Sequence, residues 1–592
     1  MRTNYIGLSC TGHDNAIAIV NSSGETVFAE ATERVHQSKR ALGLPPDDLH
    51  CIGEAVRTYC EPNADLVVAH TWSRQSRVMA ARLFEHSRKR RTHLQGRRAD
   101  RAKPLSPSAA RALDFLDQRE RTLQLLLRLH CQTAQLAGKN LRYRMGTDRQ
   151  VSRYYDHHLT HAASASFASP FDEAVCIVVD GLGETGTTTC YHYRNGDLRQ
   201  LQPAGAPVSA EVAGLGTYYA DLCTLCGFDH WQGDEWKVMG LAASGKPDDR
   251  LHRYLGNILR VDGLRFRRPA AEPLAIARVL DWLAESTDQS AARATLAYEG
   301  QRWFERWLAM LCRNVHTLLP SDNLILTGGC ALNSSANGKL QQLTPFKHVY
   351  IPPAPADDGN ALGAAQLAFM QDNPSVPLPT NRLGPFLGSP IPPEAIEQLA
   401  AGGAFDVKEY TCFDGLCREL AEDLSGGAIV GWLQGRAEFG PRALGNRSIL
   451  ADPRCRTVRD AINASVKFRE AFRPFGPAVL AEEADTYFSL VDEVPYMERA
   501  VPIRSEFRSL APAVTQDDGT CRLQTVTQGS NARLHRLLRA FYEKTAVPML
   551  LNTSFNVMGK PIVHSVRDAA AVFTCTSLSA LVIGNHVFRK KS

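Results

Sequence analysis

Residues 173–201, EAVCIVVDGLGETGTTTCYHYRNGDLRQL, decide how this 592-residue chain is read. A run of apolar residues with the composition of a buried strand ends on Asp180-Gly181, and a glycine-rich turn follows. Two further extended stretches are joined by Asn195-Gly196, a dipeptide suited to the positive φ angles of a tight hairpin. The N-terminus follows the same plan: NYIGLSC, NAIAIVNSSGETVFAEA and ADLVVAHTW have strand lengths, with Ser22 to Gly24 as the hairpin turn. The second sheet therefore begins as the first does, and the fold class is α/β.

Just before this stretch, YYDHHLTHAASASF (154–167) places His157 and His161 four residues apart. On a helix that spacing stacks the two imidazoles on one face, about one turn apart. A shared cation and a pair of buried structural histidines are both compatible with it. The zinc-protease pattern would put a glutamate after the first histidine, and here that residue is His158. Asp180, at a strand end, and Asp357, before a Gly/Ala-rich segment, are carboxylates that could complete a coordination shell. Two imidazoles with two carboxylates suit iron, manganese or zinc better than magnesium.

Downstream, NLILTGGCALNSSANGKL (323–340) and HVYIPPAPADDGNALGAAQLAF (348–369) each read as strand, turn and helix. With DGLGETG, their glycine turns provide backbone N–H groups of the kind that receive phosphate oxygens, and three such turns on one sheet-rich domain argue for a nucleotide. Between the sheets, from Val78 to about Gly138, the pattern becomes helical and rich in Arg and Leu. Eight Lys or Arg against one acid lie between Arg88 and Lys103, so the net charge of +5 is carried by one segment. A solvated helix face and a contact for an anionic ligand or RNA are the alternatives; no aromatic residues interleave the run to stack bases. An extended or anionic acceptor at the mouth of this insertion is the corresponding expectation.

The 15 cysteines are odd in number and scattered, as in a chain with reduced thiols, and Cys223-x-x-Cys226 reads as core rather than zinc or redox. No signal-peptide pattern opens the chain and no run of 18 apolar residues occurs, so a cytoplasmic protein with no membrane partner is expected. Residues 372–393, DNPSVPLPTNRLGPFLGSPIPP, read as a linker between a domain of 1–371, with its helical insertion at 78–138, and a second of 394–592. That second domain concentrates basic residues among glycines. GRAEFGPRALGNRSIL holds Arg436, Arg442 and Arg447; Lys467, Arg473 and Arg522 follow, then LNTSFN at 551–556. Arginine's planar fork matches phosphate oxygens two at a time, so these residues form a candidate anion site.

Seven ordered stretches, HHLTHAASA, VVDGLGE, KVMGLAASG, GGCALNSSANGKL, GRAEFGPRALGNRSIL, KFREAFRPFGPAVL and LNTSFNVMGKPIV, together resemble the O-carbamoyltransferases of the nodulation and antibiotic-tailoring type. The resemblance runs from the first strand to near the C-terminus and is weakest over about 70–145. It implies an N-terminal actin-like (ribonuclease H-like, duplicated) domain resembling tRNA threonylcarbamoyl transferases and a C-terminal domain resembling threonylcarbamoyladenylate synthases. It further implies that carbamoyl phosphate and ATP, with Mg²⁺, give a carbamoyl adenylate, whose carbamoyl group passes to a hydroxyl of a small natural-product acceptor in antibiotic or other secondary-metabolite biosynthesis.

Carried over by residue, the resemblance implies metal ligands at His157, His161, Asp180 and Asp357, holding Fe²⁺ or a similar ion. It implies carbamoyl phosphate and ATP contacts at Arg442, Arg447, Lys467, Arg473, Arg522, Asn552 and Ser554, of which Arg442 and Arg447 are also catalytic, as are His13, followed by Asp14, and Lys39. Gly181, Gly328, Gly329 and Asn333 are expected to line the adenylate in the N-terminal domain. A homodimer is compatible with the family, and nucleic acid is not an expected partner. The rivals are an actin-like ATPase or RNA-associated nucleotide-binding protein without carbamoyl transfer, and a metal-dependent hydrolase built on the same histidines.

Overall fold

The structure is a computed structural model that describes all residues except 1, 49–51, 75, 100–104, 147–149, 202–211, 377, 379–383, 471, 490–491 and 592. Part of the linker expected at 372–393 and the end of the basic run at 100–103 thus lie outside the described residues. The chain divides into two units: Met1–Thr32 with Arg40–Arg382, and Glu33–Lys39 with Leu383–Ser592.

The N-terminal unit contains two five-stranded sheets of one topology. In the first, β1 (Thr3–Ser9), β2 (Ala16–Val20), β3 (Thr26–Ala31), β4 (Asp65–His70) and β5 (Gln150–Tyr154) are ordered β3-β2-β1-β4-β5. The hairpin-linked strands are antiparallel, whereas β1–β4 and β4–β5 are parallel. In the second, β6 (Glu173–Gly183), β7 (Gly186–Arg194) and β8 (Asp197–Gln200) again form the antiparallel part. After a small hairpin of β9 (Arg260–Asp262) and β10 (Arg265–Arg267), β11 (Asn323–Thr327) and β12 (His348–Tyr350) add in parallel, giving β8-β7-β6-β11-β12. Asn195 and Gly196 have φ of 47° and 88°, as a tight β7–β8 turn requires.

Two helices lie between these sheets. His157–Ala168 packs on β6 and β11, Asn360–Asp372 packs on β1, β2 and β4, and the two helices pack on each other. Small residues permit the close approach. A Cβ on Gly7 would stand 1.8 Å from the Ala361 carbonyl oxygen, and one on Gly363 would stand 2.0 Å from that of Thr160.

The insertion is a pair of packed helices, Ser76–Ala99 and Pro107–Leu136, the second started by Ser106, whose hydroxyl accepts from Ala109 N. Three arginines of its basic run are ion-paired: Arg88 with Glu85 at 2.9 Å, Arg91 with Asp117 at 2.9 Å and Arg90 with Glu120 at 3.4 Å. Cys223 and Cys226 are buried free thiols, and burial pushes the Cys226 thiol up to about 12. One expected element differs: after the Gly328-Gly329 turn come a 3₁₀ turn, Gly329–Leu332, and a single helical turn, Ser334–Asn337, in place of a regular helix.

The C-terminal unit is built on a mixed eight-stranded sheet. Its strands are β13 (Phe405–Glu409), β14 (Val430–Leu433), β15 (Arg447–Ala451), β16 (Gly476–Leu480), β19 (Gln524–Val526), β20 (Met549–Ser554), β21 (Ala580–Ile583) and β22 (His586–Lys590), in the order β13-β22-β21-β14-β15-β20-β16-β19. A separate pair joins β17 (Ala500–Pro502) to β18 (Thr520–Arg522). Helices Phe413–Ser425 and Ala532–Thr545 pack together, with Trp432, Phe541 and Phe555 buried in the core. Among the described residues no helix is long and apolar enough to cross a membrane.

Candidate functional site

In the N-terminal unit the chain brings four dispersed residues to one point. Asp156 caps helix His157–Ala168 by accepting from Leu159 N at 2.9 Å, so the first turn presents His157 and, one turn on, His161. Asp180 comes from β6, and Asp357 from the 3₁₀ turn that leads into helix Asn360–Asp372. One ligand atom of each lies within 4.8 Å of every other, and all four residues are buried.

His157 Nε2 is 3.3 Å from Asp180 and 3.5 Å from Asp357; His161 Nε2 is 3.8 Å and 3.3 Å from the same carboxylates. A cation bonded at about 2.0–2.2 Å to four tetrahedral ligands needs ligand separations of about 3.3–3.6 Å. Three of these four separations lie there and His161–Asp180 is slightly longer, so a small inward shift would let the donor set hold a transition ion. Both ring nitrogens of His161 are buried without a hydrogen-bond partner, a costly arrangement unless a ligand satisfies one of them. Asn360 Nδ2 stands 3.3 Å from His157 Nδ1, and its Oδ1 is buried and unpaired. Turning that amide over would let Oδ1 accept from Nδ1–H, leaving the Nε2 lone pair for the cation. Although burial disfavours the imidazolium, Asp180 and Asp357 outweigh it and lift His157 to about 10, a measure of the site's demand for positive charge. His158 faces away and bonds Thr189 at 2.7 Å; Gly183 is bare because a Cβ there would strike its ring at 2.4 Å.

His13 stands beside this cluster. Its Nδ1 is 2.9 Å from Asp14 Oδ2 and 3.8 Å from Asp357 Oδ2. Asp14 is held in turn by Arg40, whose Nη2 is 3.2 Å from the same carboxylate oxygen. The contact with Asp14 favours the tautomer with the proton on Nδ1, so the Nε2 lone pair faces away from Asp14. Trp72, which the sequence did not single out, stacks on His157 at 4.2 Å and packs on His130 at 4.3 Å. Only a strand-end position in ADLVVAHTW hinted at it.

Of the expected adenylate contacts, Gly328 has φ of 92° and its Cβ would meet the Val179 carbonyl at 2.3 Å, while Gly329 N donates to Asp180 Oδ1 at 2.9 Å. Above Gly181 a Cβ would meet nothing within 4 Å. Asn333 is committed to the fold: it caps Ser334–Asn337 and exchanges hydrogen bonds of 3.0 Å with Gln301. Lys39 is half-buried at the end of the 33–39 segment, which belongs to the C-terminal unit.

The C-terminal unit gathers the basic residues. Burial, then Arg522, holds Arg442 well below the usual arginine range; burial, then Arg473 and Arg522, does the same to Arg469. Lys467 is depressed by burial and by Arg469 and Arg473, and Arg522 is lowered by burial to about 10. These residues form one group of like charges, with Glu470 on Arg473 at 3.4 Å as an acidic neighbour. Such a group is favourable only when an anion joins it. Arg469 was not foreseen; its place beside Lys467 depends on the π-helical turn Ile462–Lys467 and on Phe468 at φ 51°.

Lys467 Nζ donates to the Ser554 carbonyl, to Ser554 Oγ at 3.1 Å and to Asn556 Oδ1 at 2.6 Å. Arg447 is differently employed from the phosphate contact expected of it. Its side chain is fully buried and its fork donates to the carbonyls of Gln434 (2.6 Å), Asn446 (3.0 Å) and Ser389 (3.2 Å), so it builds the loop that carries Arg442. Glu438 completes that loop by accepting from Leu444, Asn446 and Arg447 N at 2.8–3.0 Å. Asn552 is likewise internal, donating to Gln524 at 2.8 Å and to the Ala443 carbonyl at 3.2 Å. Arg436 is tied to the Gly388 carbonyl at 2.9 Å.

Comparison with known proteins follows the same division. Residues 4–366 match the family described as carbamoyltransferase N-terminus, and residues 421–590 match carbamoyltransferase C-terminus. The nodulation protein NolNO of Sinorhizobium fredii is 38% identical over 76% of this chain and 65% of its own, just under two thirds of its length. NolO of Bradyrhizobium diazoefficiens is 35% identical over 74% of this chain and 79% of its own, and a Synechocystis protein is 33% identical over 99% and 97%. A solved structure of full-length HypF in a phosphate- and nucleotide-bound form covers 63% of this chain and 56% of its own at 12% identity and a TM-score of 0.36, too distant to carry an argument. With both halves matched in order and the N-terminal match alone spanning more than half of the residues, the chain belongs to the carbamoyltransferase family and is an enzyme of that class.

Proposed function

We propose that the protein is an ATP-dependent O-carbamoyltransferase that works in two steps, one in each unit. The observation that carries this reading is the division of chemistry: a group of buried, mutually repelling cations in one unit and a His₂Asp₂ cluster with an adjacent His13–Asp14 pair in the other.

In the first step carbamoyl phosphate is cleaved by water to carbamate and phosphate. A carbamate oxygen attacks the α-phosphorus of ATP, which enters with its Mg²⁺; the bond to pyrophosphate breaks and carbamoyl adenylate forms. Arg442, Arg473 and Arg522, with Lys467 and Arg469, neutralise the crowded phosphates, Ser554 offers them a hydroxyl donor, and Arg447 and Asn552 hold the loop and strand beneath them. In the second step the acceptor hydroxyl oxygen attacks the carbamoyl carbon, the bond to AMP breaks, and His13 Nε2 takes the hydroxyl proton while Asp14 steadies the imidazolium. Backbone at Gly181, Gly328 and Gly329 lines the adenylate. His157, His161, Asp180 and Asp357 would hold Fe²⁺ or a similar ion, which when bound supplies a Lewis-acid anchor for carbonyl and phosphate oxygens.

In this reading the N-terminal unit has the duplicated actin-like plan, supported by the repeated order of its two sheets, and the C-terminal unit the plan of threonylcarbamoyladenylate synthases. The acceptor is a hydroxyl of a small natural product. Incubating the purified chain with ATP and Mg²⁺, with and without carbamoyl phosphate, tests the reading: pyrophosphate is expected only when both are present, and its absence overturns the proposal.

A further inference from the structure

The N-terminal unit contains a cavity of about 120 Å³ that the chemistry above does not use. Three helices enclose it, Ser76–Ala99, Pro107–Leu136 and Leu215–Leu225, so the insertion supplies most of its wall. Helix Pro107–Leu136 connects it to the reaction centre. Leu123 and Leu126 line the cavity, and one turn further on the same helix rests against Gly12, beside His13, where a Cβ would touch Leu129 and His130 at 3.1–3.2 Å. His130 in turn packs on Trp72, which covers the metal ligand His157. At about 1.5 Å of rise per residue, Leu126 and His130 are about 6 Å apart along the axis, so the cavity lining and the helix turn beside Gly12 are neighbours on one helix.

The lining determines what fits. Leu83, Phe115, Leu123, Leu126, Val212 and Ala220 provide an apolar wall. The charged groups are neutralised in place: Arg119 and Arg268 both bond Asp221 and Glu272, and Arg90 pairs with Glu120. A charged ligand would be desolvated there without compensation. The volume is near that of apolar cavities of about 150 Å³ that accept one six-membered ring.

Among the described residues, one fully buried side-chain nitrogen in the wall lacks a partner. Thr224 donates its hydroxyl proton to the Ala220 carbonyl at 3.1 Å, so its oxygen accepts from His230 Nδ1–H at 3.3 Å. His230 Nε2 then carries a lone pair, and it is buried without a hydrogen-bond partner. A hydroxyl donor satisfies it. The carbonyl of His230 meanwhile accepts from Arg40, the residue that holds Asp14.

Resting on the reading of the chain as a transferase to an alcohol, we propose that this cavity seats the acceptor: it takes an uncharged, ring-sized apolar body bearing a hydroxyl that donates to His230 Nε2. An extended or anionic acceptor, the expectation raised by the basic run, does not match this balanced lining.

The test uses the intact chain without ATP, so that it is separate from pyrophosphate release, on which the functional reading stands or falls. Saturation-transfer NMR with cyclohexanediol is expected to show binding; the ring-matched aminocyclohexanol cation and hydroxycyclohexanecarboxylate anion are expected to bind roughly 10-fold more weakly or less. Leu123→Trp, which fills the cavity, should abolish the signal, and His230→Phe should weaken diol affinity roughly 2- to 10-fold, the worth of one hydrogen bond. If Leu123→Trp does not fold, Ala220→Leu fills the same space. No diol binding in the wild type, equal binding of the charged analogues, or binding that persists in a folded filled variant overturns the proposal.

Discussion

Two arginines of one loop show how residues of the same type divide their work. Arg442 lies among like charges, whereas Arg447 is buried with its fork on backbone carbonyls. Arg442→Ala is expected to cut carbamoyl-phosphate-dependent pyrophosphate release by roughly 30- to 1,000-fold, the effect of about 2–4 kcal/mol of lost charge stabilisation, with the urea midpoint little changed. Arg447→Ala is expected to cost about 3–5 kcal/mol of stability, because buried carbonyls lose their donors, and urea unfolding measures it. His13→Asn retains a side chain of similar reach but no base. Product carbamate should fall by about 10²–10⁴-fold while pyrophosphate release stays near normal; equal loss of both would remove His13 from the transfer step.

At the level of elements, the site depends on how closely two helices pack. Gly363→Ala places a methyl 2.0 Å from the Thr160 carbonyl, and the shift moves His161 and Asp357 apart. In the proposed reading the variant should bind less than about half of the wild-type content of divalent metal by elemental analysis, since ligand distances are tolerated only within about 0.2 Å. The first sheet has an acid-sensitive strand. His70 of β4 is stacked on Tyr154 at 4.7 Å, and burial, then Arg142, lowers it to about 4. A histidine depressed in the folded state binds its proton more readily when unfolded, so its contribution is complete above about pH 6.5 and is lost as pH falls towards 4. About 2 kcal/mol should be gone by pH 5. His70→Phe keeps the stacking and should flatten the urea midpoint between pH 7 and 5.

For the whole molecule, the proposed reading gives the two units separable chemistries on one chain. In that reading, stripping the ion from His157, His161, Asp180 and Asp357 with a chelator, dialysing the chelator away and assaying with Mg²⁺ supplied should abolish carbamoyl transfer and leave pyrophosphate release intact. Adding Fe²⁺ at 100 times its dissociation constant should restore transfer and stabilise the fold by about 2.7 kcal/mol in thermal unfolding. Loss of pyrophosphate release on chelation would remove the division of labour between the units. The segment Glu33–Lys39 complicates the linear picture, because it follows β3 in sequence yet belongs to the C-terminal unit. There Arg34, almost fully buried, donates to the Gly440 carbonyl at 2.8 Å, within the loop that carries Arg442.

What the amino-acid order determined alone was local: strand lengths, the hairpin at Asn195-Gly196, the four-residue spacing of His157 and His161, and a family resemblance carried by seven ordered stretches. Each rests on interactions within a few residues, where steric preference and spacing are sufficient. The rest required distant segments to meet. His13 beside Asp357, Arg469 beside Lys467, Arg447 turned onto carbonyls and the neutral lining of the cavity behind a basic helix pair all depend on which side chains share a desolvated space. Charge in a sequence shows only that a residue is basic; whether a carboxylate, a carbonyl or a ligand satisfies it depends on the partner that tertiary packing brings within about 3–4 Å.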